Sequence, residues 1–225
     1  MRIPIEELLN NLAQELQSDS SHKLIVGLVY TFLEKINKFP DGVPLIHHPL
    51  GFFLIRLGKI NLSTSLRLHL WLPNRRITQY PDWSVHDHTF TLKSHVLTGE
   101  ITNKFFNINF ESSQPTNCLY RVEYNDNSSV LGRTSQYLSY DQVEQNTYSK
   151  GEYYLVEKGR YHSTHVPLEC LTSTIALTSD QDNTAPNVIG DLTGQDEYVY
   201  LRTVAQAFEL REALALLQYE LKNKI

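Results

Sequence analysis

Three histidines are the residues whose type and spacing point most clearly to chemistry. His86 and His88 lie two positions apart in the segment 83–89, and on an extended strand positions i and i+2 point to the same face. His162 ends the later segment 151–162, which a neighbouring antiparallel strand can bring beside the pair. Three converging imidazoles can bind one divalent metal ion, and imidazole suits Fe, Zn, Ni and Cu alike. The alternative is three ordinary strand histidines that hydrogen bond to backbone or water.

Glycines complete two motifs around these histidines. Gly99 follows the His-x-His pair after an apolar stretch, and the later segment reads Gly151, then Gly159, then His162. These residues resemble the two motifs of the cupin superfamily of RmlC-like proteins, in the right order. The resemblance covers about 51–178. It implies an all-β core folded as a double-stranded β-helix, a jelly-roll barrel with a metal ion in its mouth.

The ligand set resembles one branch of that superfamily. Cupins usually carry a glutamate on the strand after the histidine pair, but Leu92 and Lys93 occupy that place here. A three-histidine site without a carboxylate is similar to the cysteine dioxygenase-like branch. That resemblance implies Fe(II) as the metal, with Zn and Ni as alternatives. The branch also has a Ser-His-Tyr relay on a late strand, which Thr174, Ala176 and Thr178 replace in this chain.

Three further residues are candidates for binding the substrate. Arg56 lies in an apolar strand, where the similar family has an arginine that clamps the substrate carboxylate; the alternative is a surface residue or a structural salt bridge. His69 alternates with leucines, together with Arg67 and Trp71, and the alternation does not say which face lies inside. Tyr153 can offer a hydroxyl, although strand packing explains a tyrosine equally well.

The remaining histidines and nearby charged residues are expected to lie away from the metal. Asp87 lies between the two paired histidines and should point to the opposite face. Lys93 should point outward, because its charge would oppose a cation. His47 and His48 precede Pro49 in a loop and are expected outside the barrel.

These candidates define the expected function and its rivals. We expect a metal-dependent cupin enzyme, in particular a cysteine dioxygenase-like Fe(II) oxygenase that acts on a small carboxylate-bearing molecule. A metal-dependent lyase or isomerase is the rival enzyme class. A small-molecule-binding cupin without turnover is the rival outside the enzymes.

The elements that must position these residues follow from periodicity. Apolar residues at helical spacing predict helices over 5–17 and 22–37, and the second should stop at 39–42, where Pro40 and Gly42 interrupt it. From about Gly51 the period changes to two, and strand-like stretches recur about every ten residues up to Thr178. We expect one domain over 1–225, with N-terminal helices in 1–42, a β-barrel over 51–178 and a C-terminal helix over 197–225.

Composition limits the class of protein and its partners. The 225 residues are 41% hydrophobic and 20% charged, which is typical of a folded globular chain. The formal net charge of -5 disfavours nucleic acid and anionic membranes as partners. No apolar run approaches the ~20 residues of a membrane span, and the N-terminus lacks the apolar region of a signal peptide, so we expect a cytoplasmic protein. The leucine stripes on the helices should serve the core or a homodimer contact.

Overall fold

Residues from Gly51 to Thr178 form antiparallel strands, as their alternating pattern predicts. The computed structural model describes residues 4–38 and 44–222. Twelve strands lie in these ranges: β1 Leu45–His47, β2 Phe53–Lys59, β3 Ser65–Trp71, β4 Thr91–Thr98, β5 Glu100–Asn109, β6 Asn117–Asn125, β7 Ser128–Ser149, β8 Tyr153–Val156, β9 His162–His165, β10 Thr172–Ser179, β11 Asn187–Asp191 and β12 Glu197–Leu201.

The strands form two sheets that pack face to face. The first sheet has the order β1-β2-β3-β10-β4-β8, and the second has the order β11-β6-β7-β5-β9 with β12 paired to β7. Side chains from both inner faces meet in one buried cluster, in which Ile101 and Phe105 of the second sheet join Trp71 and Val96 of the first. This arrangement confirms the predicted jelly-roll class, although the two sheets do not close into a barrel.

Helices cover the outer face of the first sheet. The predicted N-terminal helices are confirmed as α1, Ile5–Gln17, and α2, His22–Lys38, while the predicted stop at 39–42 lies outside the described residues. A third helix, α3, spans Ala207–Lys222. Buried residues of all three helices join the outward leucines of the first sheet in one hydrophobic cluster. None of these described helices is long and apolar enough to cross a membrane.

The two faces of β3 have different partners, and this difference positions the site. Leu66, Leu68 and Leu70 are fully buried beneath the helices. Arg67, His69 and Trp71 therefore point the other way, into the space between the sheets. The alternation along β3 predicted the two sets correctly, and the helices determine which set is inside.

The β-region is longer than the sequence predicted. The C-terminal helix expected over 197–225 begins only at Ala207, because residues 197–201 form β12 beside β7. Tyr198 and Tyr200 alternate with exposed neighbours there, and Tyr200 is 5% exposed, so the period is two rather than helical. A further strand, β11, also lies beyond Thr178.

Candidate active site

Main-chain hydrogen bonds hold His86 beside His162. The His86 N–H donates to the His162 carbonyl over 3.0 Å, and the His162 N–H donates to the His86 carbonyl over 2.9 Å. His162 begins β9, whereas His86 lies in the irregular segment 81–90 and makes only isolated bridges. The antiparallel neighbour predicted for His162 is present, but the histidine pair lies outside the regular strands.

The three imidazoles converge on one point. Candidate ligand nitrogens of His86, His88 and His162 all lie within 4.8 Å of one another. The Nε2 atoms of His88 and His162 are 3.0 Å apart. Two nitrogens each about 2.1 Å from one ion, and about 90° apart, would be separated by about 3.0 Å. Within residues 4–38 and 44–222, no carboxylate or cysteine joins this group.

The surroundings keep these imidazoles in the form that binds metals. Burial lowers the pKa of His86, His88 and His162, and repulsion from His86 lowers the pKa of the other two further. The Nδ1 of His86 lies 2.9 Å from the Ser84 carbonyl, which can only accept a hydrogen bond. The proton of His86 therefore sits on Nδ1, and its Nε2 is left as a ligand atom.

Asp87 anchors the segment that carries the histidine pair. Its carboxylate accepts hydrogen bonds from the Asn187 N–H over 2.6 Å and from the Asn187 side-chain amide over 2.9 Å. Asp87 thus faces β11 rather than the histidines, as the sequence predicts. Lys93 likewise faces outward, where its Nζ lies 2.9 Å from the Asp19 carboxylate. Leu92, which occupies the other position where the resemblance would place a cupin glutamate, lines the cavity described next.

The histidines line a cavity of about 490 Å³ between the sheets. Its walls carry aromatic rings, among them Phe52, Trp71 and Phe90. The Phe90 ring stacks on His88 with centroids 4.8 Å apart, and the Phe52 and Trp71 centroids are 5.0 Å apart. A cavity of this size with apolar walls and a few polar groups is typical of a small-molecule site.

The charged side chains that line the cavity within residues 4–38 and 44–222 are all basic. They are Arg56, Arg67, Arg202 and Lys59, and none of the described lining residues is an aspartate or glutamate. Burial and then repulsion from Arg56 lower the pKa of Arg67 to about 10, so the guanidinium is still charged at neutral pH. The cavity therefore presents a positive potential to a ligand.

Arg56 and His69, two of the three predicted substrate contacts, line this cavity. Arg56 is exposed at its position on β2. His69 lies 3.2 Å through its Nδ1 from the Thr174 hydroxyl, and burial followed by repulsion from Arg67 lowers its pKa to about 3. Burial raises the pKa of the nearby Tyr154, whose side chain lies on the same inner face of the first sheet.

The third predicted contact, Tyr153, lies on the outer face of the first sheet, away from the cavity. Its hydroxyl donates to the Ser20 carbonyl over 2.8 Å, and its ring lies 4.3 Å from that of His95, beneath the helices. Tyr154, the next residue along β8, is the one that lines the cavity. Both tyrosines look alike in sequence, and only the pairing of Tyr154 with Ser94 determines which points inward.

His48 lines the cavity, contrary to the prediction that it lies outside the barrel. Its ring stacks on Phe52 at a centroid distance of 4.0 Å, and burial followed by repulsion from Arg202 lowers its pKa well below the usual value. His47 does lie outside, 3.6 Å from the Glu209 carboxylate. The alternation of His47 and His48 at the end of a strand was a signal that one of them faces inward.

Comparisons with known proteins give only a weak likeness of fold. No family model matches the chain, and no curated protein matches it. Among solved structures, hydroxypropylphosphonic acid epoxidase from S. wedmorenis is similar at 14% identity and a TM-score of 0.36, covering 62% of this chain and 56% of that one. Hydroquinone 1,2-dioxygenase from Sphingomonas sp. TTNP3 with 4-hydroxybenzoate bound is similar at 10% identity and a TM-score of 0.30, covering 56% of this chain and 65% of that one. The aligned part is less than two thirds of either structure, and likenesses this weak carry nothing about metal or substrate.

Proposed function

We propose that the protein is a metal-dependent enzyme of the cupin type, an Fe(II) oxygenase that acts on a small carboxylate-bearing molecule. His86, His88 and His162 hold the ion, with Zn and Ni as alternative occupants. Bound Fe(II) would supply the one-electron chemistry that the activation of dioxygen requires. The cysteine dioxygenase-like branch is the nearest pattern for a ligand set of three histidines.

One observation carries this proposal: three neutral imidazoles converge at a cavity that no carboxylate of the described residues lines. Neutral ligands leave the full charge of a divalent ion uncompensated. The arginines along the same wall add further positive charge. A site of this kind binds an anion more readily than a neutral molecule, which supports a carboxylate-bearing substrate.

The chain's own residues would bind and orient that substrate. Arg56 can hold a carboxylate through two parallel N–H donors of its guanidinium. His69 stays neutral, because its pKa is lowered to about 3, so it adds a hydrogen-bonding group without adding charge. The aromatic walls would pack on the body of the substrate and exclude water from the histidines.

Elemental analysis tests the proposal most directly. Protein purified without added metal should contain one ion per chain, or should take one up when incubated with Fe(II), Zn(II) or Ni(II). The variant His86→Ala with His88→Ala should retain none, and His165→Ala, which removes an exposed histidine, serves as its control. If the wild type retains no ion stoichiometrically, the enzyme proposal is wrong.

Oxygen uptake then separates the function classes. The Fe(II)-loaded protein should consume dioxygen with small carboxylates, thiols among them, and the double variant should not. Turnover without oxygen uptake would instead support a lyase or isomerase. Ligand binding without any turnover would support a binding protein.

A further inference from the structure

Three arginines reach the cavity from separate parts of the chain. Arg56 lies on β2, Arg67 on β3, and Arg202 follows the end of β12. Arg56 and Arg67 are directly opposite each other in the antiparallel pairing of their strands. Like charges in that relationship are destabilising unless something between them compensates.

None of the three has an anionic partner in the described ranges, 4–38 and 44–222. Arg75 and Arg160, by contrast, form ion pairs outside the cavity with Glu212 and Glu144. The cavity arginines therefore retain their charge for a ligand.

Neutral neighbours nevertheless hold two of these guanidiniums in place. Arg67 lies over the Phe90 ring at 4.3 Å from its centroid. Arg202 lies 5.0 Å from the centroid of Tyr124 and donates through its Nε to the Ser129 hydroxyl. Aromatic faces and hydroxyls fix the direction of an arginine without neutralising it. The side chains are thus ordered before a ligand arrives, which reduces the entropy cost of binding.

The amount of charge indicates the kind of ligand. A single carboxylate carries one negative charge and would compensate only one of the three guanidiniums. A group with two negative charges and three or more oxygens can accept forked hydrogen bonds from several arginines at once. Phosphate esters, phosphonates and dicarboxylates all have this chemistry.

We infer that Arg67 and Arg202, together with Arg56, form a subsite for a dianionic head group of the substrate. This inference rests on the proposed function, since the subsite would orient the rest of the substrate in the cavity that the three histidines line. It assigns Arg67 and Arg202 as specificity residues and narrows the substrate from any small carboxylate to a dianion.

Calorimetric titration of the full chain with three small anions tests the subsite. Phosphate, malonate and acetate are compared at constant ionic strength and about pH 8, where phosphate is mostly dianionic. Each titration is done on EDTA-treated protein, so that binding to the metal does not contribute, and is repeated on metal-loaded protein. We expect phosphate or malonate to bind at least about tenfold more tightly than acetate, and the order of the first two distinguishes a tetrahedral head group from a dicarboxylate.

Substitution of Arg67 or Arg202 tests whether these arginines bind the dianion. Arg67→Gln and Arg202→Gln should each weaken binding of the preferred dianion by about tenfold or more, because each removes a charge-assisted contact. Arg121→Gln, which changes an exposed arginine outside the cavity, should leave the affinity unchanged. Thermal unfolding of each variant shows whether a loss of binding reflects loss of the fold.

Two results would overturn the subsite. In the first, acetate binds as tightly as the dianions. In the second, the dianions bind only to metal-loaded protein, and Arg67→Gln and Arg202→Gln do not change their affinity. Either result would leave the metal site intact. Failure of the proposed function would look different, because the protein would then retain no ion while still binding the dianion through its arginines.

Discussion

The Nε2 atoms of His88 and His162 lie 3.0 Å apart, although the two residues are 74 positions apart in the chain. The two nitrogens face each other, with His162 buried and His88 half-buried, and burial lowers the pKa of both rings. One neutral ring can donate an N–H to the other across this distance, and a cation that takes the place of that proton would bind both nitrogens. The pair is therefore arranged for an ion.

Loss of one member of that pair should abolish metal binding. We expect His162→Ala to lower the affinity for a divalent ion at least about 100-fold, because changes even to residues that only support a ligand cost 10–100-fold. Equilibrium dialysis with elemental analysis measures the affinity. The fold should persist, since the core consists of apolar strand faces and helices. Unchanged affinity in His162→Ala would show that the ion binds elsewhere.

Arg56→Lys should weaken anion binding and leave the metal content unchanged. A lysine keeps the charge but cannot make the forked contact, so we expect about a tenfold loss of malonate affinity. Calorimetry gives the affinity, and elemental analysis on the same samples gives the metal content. Arg121→Lys is the matched control on the second sheet. A variant that binds malonate as tightly as the wild type would remove Arg56 from the site.

Gly99→Ala should destabilise the fold, because Gly99 connects β4 to β5 with a φ of 69°. An added Cβ would lie 2.2 Å from the Thr172 hydroxyl oxygen and 2.9 Å from the Leu171 carbonyl oxygen. The left-handed backbone alone costs about 1–3 kcal/mol for a residue other than glycine, and the close contacts add to it. Chemical denaturation measures the free energy of unfolding.

Gly27→Ala provides the opposite control for that measurement. Gly27 lies within α2, and a Cβ added there meets nothing within 4 Å. Alanine is favoured over glycine in a helix by about 0.5–1 kcal/mol, so this variant should be slightly more stable than the wild type. If both variants lose stability equally, the backbone argument for Gly99 is wrong.

His95 should make the fold less stable in mild acid. It is fully buried under the helices, where its Nε2 lies 2.9 Å from the His22 Nδ1, and Tyr153 and Asp19 also face it. Burial and then repulsion from His22 lower its pKa to about 4. The unfolded chain therefore binds a proton at this residue as the pH falls below about 6.5, whereas the folded chain does not until about pH 4.

The stability lost through His95 should accumulate between those two pH values, at no more than about 1.4 kcal/mol per pH unit. Denaturation curves at several pH values give the slope for the wild type and for His95→Gln. The slope should be smaller in the variant, because one titrating group has been removed. Equal slopes would mean that His95 does not carry this effect.

Local patterns predicted the elements of this protein and the histidine motifs well. The period of two in β3 separated Leu68 from His69, and the spacing of His86 and His88 indicated a shared face. Each of these patterns involves residues only a few positions apart, so it can be recognised from the sequence alone. The glycine turns were equally local, since both Gly99 and Gly159 have the positive φ that their place in a turn requires.

Contacts between distant parts of the chain were not predictable in the same way. Tyr153 and Tyr154 have the same local pattern, and only the register against β4 distinguishes them. Arg202 lies beyond the region that resembled a cupin, in a segment expected to be helical, so nothing local connected it with Arg67. The position of His48 before Pro49 predicts a loop, whereas its stacking on Phe52 depends on the turn between β1 and β2.

The origin of Arg202 has a consequence for how the site is made. The segment after β12 is joined to β1 by hydrogen bonds from the His47 N–H to the Thr203 carbonyl, at 2.9 Å, and from the Ala205 N–H to the Leu45 carbonyl, at 2.7 Å. During translation, the three histidines therefore leave the ribosome before the residue that completes the basic wall. A chain cut short by a premature stop codon just ahead of Arg202 would still contain both histidine motifs. Such a product would have an incomplete cavity, and a survey of genomes that searched for the motifs alone would count it as intact.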